Sequence, residues 1–145
     1  MHPSFQLQRR VEFCETDAAG IAHFSAFFPY MEQAEHALLR HLGLSVFSPR
    51  EGGTVTWPRV HAQCNYSGAV RFEDVLDVAV GIERMGHKSV TYAFEFSLQG
   101  RPVATGKITA VCCLFVPGKP PQSMPIPEWM AERLRTYAVP VAQED

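Results

Sequence analysis

A chain of 145 residues, 46% of them hydrophobic, carries 13 basic and 15 acidic side chains and a formal charge of −2. That is enough apolar content for a core without staples, and no surplus of either sign to bind nucleic acid or drive a disordered tail. No apolar run reaches bilayer-spanning length. Met1–Gln6 lacks the basic segment and apolar stretch of a signal peptide. The expectation is one cytoplasmic domain over residues 1–145 with neither a membrane nor a nucleic-acid partner.

In chain order, Phe5, Leu7, Arg9, Val11 and Phe13 alternate with polar residues, which predicts a strand. Asp17 to Gly20 breaks it. From about Ser25 to Leu42 the period lengthens: Phe27, Met31, Ala34, Leu38 and Leu42 share one helical face, widened by Phe28, Ala37 and Leu39. Ser25 suits the N-cap, Pro29 the first turn, and Gly43 the residue after the last turn. Residues 45–57, with Pro49, Gly52 and Gly53, read as a loop.

Four strands follow. Val60, Ala62, Cys64 and Tyr66 mark the first, and Leu76, Val78, Val80 and Ile82 the second. Val90, Tyr92, Phe94, Phe96 and Leu98 mark the third, and a long last strand runs from about Val103 to Val116. The Gly86-His87 and Gln99-Gly100 turns make hairpins. Gly81 and Gly106 inside strands suggest bends or bulges that curl a sheet. Residues 116–145 form a Pro-rich tail with a short helix opening at Pro127. A helix laid on one curved antiparallel sheet buries both apolar faces, and the open sheet edges favour pairing with a second chain.

Chemistry is sparse. Cys14, Cys64, Cys112 and Cys113 form no C-x-x-C pair and read as small buried hydrophobes in a reducing compartment. No metal site is expected, because His36 and His41 do not share a helix face and no H-E-x-x-H occurs. No G-x-S-x-G elbow or phosphate-binding glycine loop is present. Glu32 and Glu35 read as helix-surface or interface groups, with Glu32–His36 as a possible pair. Asp17, on a turn of small residues just ahead of the long helix, is either a turn or cap residue or a carboxylate aimed at a helix start.

The stretch Val11-Glu12-Phe13-Cys14-Glu15-Thr16-Asp17-Ala18-Ala19-Gly20-Ile21 resembles the hotdog-fold thioesterases of the 4-hydroxybenzoyl-CoA thioesterase-like group. So do the helix segment His23–Glu35, the run Arg71–Val78, the run Met85–Glu95 and Gly106-Lys107. The resemblance implies an α+β hotdog fold in which five antiparallel strands wrap a central helix. Two subunits would join edge to edge, with active sites at the interface, and the assembly would be a dimer or a tetramer.

The implied reaction is hydrolysis of a short, medium or aromatic acyl-CoA thioester. Coenzyme A belongs to the substrate, and no cofactor is needed. Asp17 takes the place of the catalytic carboxylate, as general base or nucleophile. The Phe24 N–H takes that of the carbonyl-polarising donor at the helix start. His23 stands one position from the histidine of many relatives and is carried as a catalytic candidate. Gly20 would let substrate approach the backbone. Phe27, Trp57 and Tyr66 would shape the acyl site, and Lys88 and Ser89 would meet the nucleotide end, with Arg59, Arg71 and Arg101 as alternatives. Alternative functions are acyl-carrier-protein thioesterase and a non-catalytic acyl-thioester-binding domain.

Overall fold

A computed structural model describes residues 4–138. Five strands form the main sheet: β1 (Phe5–Arg10), β4 (Arg59–Tyr66), β5 (Val75–Met85), β6 (Ser89–Leu98) and β7 (Arg101–Val111), all antiparallel, in the order β1-β5-β6-β7-β4. Helix α1 (Phe27–His41) packs on one face of it. Register puts Leu76, Val78, Val80 and Ile82 of β5 and Val90, Tyr92, Phe94 and Phe96 of β6 on that face, and all eight are buried. On the helix, Phe27, Tyr30, Met31, Ala34, Leu38 and Leu39 meet them. The 3.6-residue and two-residue periods therefore converge on one core.

Close approach of α1 to β7 depends on Gly106. A Cβ there would collide with Met31 Sδ and stand 3.0 Å from the Gln63 carbonyl oxygen. Gly106 thus marks a contact with the helix. The register shifts fall elsewhere, between Arg59 and His61, Ile82 and Arg84, and Phe96 and Ser97. Gly81 sits in regular pairing with Ala93.

Residues 45–57 are not a loop. They hold β2 (Phe47–Arg50) and β3 (Gly53–Thr56), which join β8 (Cys113–Phe115) and β9 (Gln122–Ser123) in a second, four-stranded sheet ordered β2-β3-β8-β9. Strands this short give little periodic signal, and what holds them is tertiary: Val55 is buried in the main core. The predicted long last strand breaks at Cys112. Its N–H donates to the Lys88 carbonyl and its carbonyl accepts from Met124 N, so the chain leaves one sheet for the other there. A second helix, α2 (Glu128–Arg135), buries Met130, Ala131 and Leu134. Of the predicted tail, residues 139–145 lie outside the described residues. Among the described residues no helix is long and apolar enough to cross a membrane.

Candidate active site

The loop between β1 and α1 is built from two one-turn 3-10 segments, Phe13–Glu15 and Phe24–Ala26, with a tight turn between them. β1 therefore ends at Arg10, short of the predicted Phe13. Asp17 begins the turn. Its main-chain carbonyl accepts from Gly20 N at 3.0 Å, and its N–H donates to Ile21 O at 2.9 Å. Gly20 sits at φ +79°, a left-handed conformation that glycine adopts without a Cβ clash. The side chain folds back on the turn: Asp17 Oδ1 accepts from Ala19 N at 2.8 Å and from Ile21 N at 3.4 Å. Among the described contacts Oδ2 has no partner, so one oxygen is anchored and the other is available.

The second 3-10 segment opens the helix. His23, not Ser25, is the capping side chain, because its Nδ1 accepts from Ser25 N at 3.2 Å and lies 2.7 Å from Ser25 Oγ. An accepting Nδ1 places the neutral ring's proton on Nε2. The imidazole stacks on Phe24, centroids 4.4 Å apart. Among the described residues the Phe24 N–H has no hydrogen-bond acceptor, whereas the Phe24 carbonyl accepts from Tyr66 Oη at 2.7 Å. A free N–H next to the start of a 15-residue helix sits where the helix dipole is most positive.

The other expected site residues fall into two groups. Phe27 and Tyr66 lie at the Asp17 end. Phe27 is only 2% exposed and makes edge contacts with Tyr30, Tyr66 and Phe96, so in the single chain it forms the floor beneath the helix start. Tyr66, half-exposed on the edge strand, holds that start in place, and burial first and the neighbouring Cys64 second push its phenol up to about 12. Trp57, Lys88 and Ser89 lie at the far end of the sheet: Ser89 pairs with Val111, Val111 N donates to Pro58 O, and Lys88 O takes Cys112 N. The 11 residues of β5 separate the two ends by roughly 33 Å. Within one chain Lys88, Ser89 and Trp57 do not join Asp17.

Of the alternative arginines, Arg71 lies beside the Asp17 turn, its Nη1 4.0 Å from where a Cβ on residue 20 would be. Arg59 is not available to a phosphate. It forms a two-pronged pair with Glu35, Nη1 to Oε2 at 2.8 Å and Nη2 to Oε1. Glu35 is fully buried, so it is not a helix-surface group. The expected Glu32–His36 pair is replaced by Glu32 near Arg59 at 3.9 Å and His36 near Glu35 at 3.8 Å. Burial outweighs the pull of Arg59 and raises the Glu35 carboxyl above its ordinary value.

A second charged cluster escaped the sequence reading. Arg9, on the inward face of β1, pairs with Glu15 at 2.5 Å, donates from Nε to Gln33 Oε1 at 2.7 Å, and lies 4.8 Å over the Tyr30 ring. Its signal was present: Arg9 continues the apolar phase of Phe5 and Leu7, and a charge in that phase requires a buried partner. Among the described residues no group of His, Cys, Asp and Glu could hold a metal ion.

A five-stranded antiparallel sheet closed over one long helix, with a carboxylate turn ahead of the helix start, is the hotdog thioesterase architecture. The family model "Thioesterase-like superfamily" matches residues 11–134, and the chain belongs to that family. It is 31% identical to a putative esterase of Aquifex aeolicus over 79% of this chain and 88% of that one. It is 29% identical to a 1,4-dihydroxy-2-naphthoyl-CoA hydrolase of Synechococcus elongatus over 92% and 97%. Among solved structures it is similar to a gentisyl-coenzyme A thioesterase, with TM-score 0.76 and 27% identity over 90% of this chain and 99% of that one.

Proposed function

We propose that this protein hydrolyses an aromatic acyl-CoA thioester to the free acid and coenzyme A, with Asp17 and the Phe24 N–H as its reacting pair. The observation that carries this reading is the arrangement of the two groups. One Asp17 oxygen is anchored by backbone N–H groups and the other is unpartnered, on a loop tied to a helix start whose first N–H is unpartnered. The similarity to hydrolases of ring-bearing acyl-CoAs supports the substrate class.

In one route the free Asp17 oxygen takes a proton from water as it adds to the thioester carbonyl; collapse of the adduct breaks the C–S bond, and the coenzyme A thiolate leaves with that proton. In the other the Asp17 oxygen itself adds to the carbonyl and expels the thiolate, and water then cleaves the mixed anhydride to the acid and the free carboxylate. In either route the developing oxyanion receives the Phe24 N–H in a fixed orientation. His23 caps the turn through Nδ1, which leaves its Nε2–H as a donor for the substrate.

The split of the remaining residues fits a two-fold dimer. β4 is an edge strand with Val60 64% exposed and Ala62 also exposed. If β4 pairs antiparallel with its own copy, its Arg59 end meets the Tyr66 end of the mate. That brings the partner's Trp57, the partner's Lys88 and the partner's Ser89 to the Asp17 end, where acyl ring and nucleotide would be held. Sedimentation equilibrium of the parent and of Val60→Lys tests the pairing, a monomeric parent contradicting it.

The decisive test is a thiol-release assay over aryl-CoA, alkyl-CoA and acyl-carrier-protein thioesters. Asp17→Asn should lower kcat on the best substrate by about 10²- to 10⁴-fold. A variant as fast as the parent would remove Asp17 from the mechanism.

A further inference from the structure

We propose that Glu15 is a positioning residue that sets the separation between Asp17 and the Phe24 N–H, clamping the catalytic loop through its side chain and the helix start through its backbone. The inference rests on the reading of Asp17 and Phe24 given above. Glu15 lies two residues before Asp17, and its carboxylate is held from three directions. Oε2 pairs with Arg9 Nη2 of β1 at 2.5 Å. Oε1 accepts from Tyr30 Oη of α1 at 2.9 Å and from the loop's own Glu12 N at 2.7 Å. Its main-chain carbonyl accepts from His23 N at 2.8 Å, one residue before Phe24.

Thr16 also bridges Ala22 across the loop, but Glu15 combines side-chain bonds to β1 and α1 with a backbone bond to His23. The Glu15 side chain is 16% exposed and that of Arg9 23%, so water competes weakly for these bonds, unlike an ordinary surface ion pair. Tyr30 is almost wholly buried. Burial first, and its bond to Glu15 second, hold its phenol well above the usual range, so it remains a donor. Arg9 is fixed in turn by Gln33 Oε1 and by the Tyr30 ring. Strand, helix and loop therefore meet at one carboxylate, and displacing it shifts Asp17 relative to the donor without touching either group.

Catalysis is steeply sensitive to such shifts, since about 1 Å of misplacement can cost roughly 100-fold in rate. Kinetics of Glu15→Gln, Tyr30→Phe, Arg9→Met and Arg9→Lys test the proposal, with Asp17→Asn as reference. Glu15→Gln should lower kcat by about 10- to 100-fold and Tyr30→Phe by about 3- to 10-fold, with KM within about threefold of the parent in both. Arg9→Lys, which keeps the cation, should recover most of the kcat that Arg9→Met loses.

Tyr30→Phe deletes one hydroxyl and keeps the buried ring, so it remains informative if Glu15→Gln folds poorly. Suppose Asp17→Asn is inactive while Glu15→Gln and Tyr30→Phe retain parental kcat, or change KM alone. The role of Glu15 is then refuted and the reading of Asp17 stands. A parent that hydrolyses no acyl-CoA, or an Asp17→Asn variant with full activity, would overturn both.

Discussion

Replacing Arg59 by Met should be one of the most destabilising single changes on the edge strand. Glu35 is fully buried, and both of its oxygens are taken by the Arg59 guanidinium. Once the guanidinium is gone, the nearest cationic candidate is His36 Nε2, 3.8 Å away and too far for a hydrogen bond. Stranding a buried charge costs about 3–5 kcal/mol. At about 3 °C per kcal/mol for a chain of this size, the melting temperature should fall by about 10 °C.

The double variant Glu35→Met/Arg59→Met removes both charges and refills the volume, and should return to within about 2 kcal/mol of the parent. The Arg59→Met deficit should also depend on pH. Burial already raises the Glu35 carboxyl, and without Arg59 it rises further. Below the unfolded-state carboxyl pKa the group is protonated in both states, and there the deficit is smallest. As pH climbs from that value through the raised folded one, the unfolded chain releases its proton first and stability falls. Thermal melts at fixed protein concentration from pH 4 to 8 measure all three effects. A single variant melting within about 3 °C of the parent at pH 7, or a double variant less stable than the single, would show that Arg59 does not compensate Glu35.

Gly106→Ala should destabilise by about 1–3 kcal/mol through the Met31 and Gln63 contacts, and urea titration showing no loss would contradict the close approach of α1 to β7. Tyr66→Phe deletes the bond to the Phe24 carbonyl and should lower kcat by a few-fold with a small change in Tm; an unchanged kcat would separate Tyr66 from the site. The raised Tyr66 phenol carries a second consequence. From pH 10 to about 12 the unfolded chain loses that proton before the folded one does, so parental stability should fall across this window. In Tyr66→Phe the alkaline slope should be shallower, and a slope equal to the parent's would refute this assignment.

The main sheet and central helix were legible because each repeats one period over many residues. β5 and β6 alternate cleanly, and α1 keeps its apolar stripe for four turns. The turn at Asp17 and the approach to the helix were legible through the small residues and the change of period between them, whereas the catalytic reading of Asp17 came from the resemblance to the hotdog thioesterases. The second sheet was not, since strands of two to four residues carry almost no pattern and are held by Val55 in the core and by the chain's passage between sheets at Cys112.

Charged residues in apolar phases were the other blind spot. Arg9 sits in the strand phase of Phe5 and Leu7, and Glu35 follows Met31 by four positions on the helix stripe. Periodicity alone cannot say which distant group neutralises them. Only the tertiary structure pairs Arg9 with Glu15 and Tyr30, and Glu35 with Arg59 across 24 positions of sequence. The same holds for Lys88, Ser89 and Trp57: their residue types suit a ligand, but the length of β5 puts them at the opposite end of the chain's own sheet. The sequence by itself determined the layers and the carboxylate turn, because local periodicity and turn chemistry act over a few residues. The tertiary structure decided which charges are neutralised and which ends of the sheet meet, because those contacts depend on register and on which segments lie side by side.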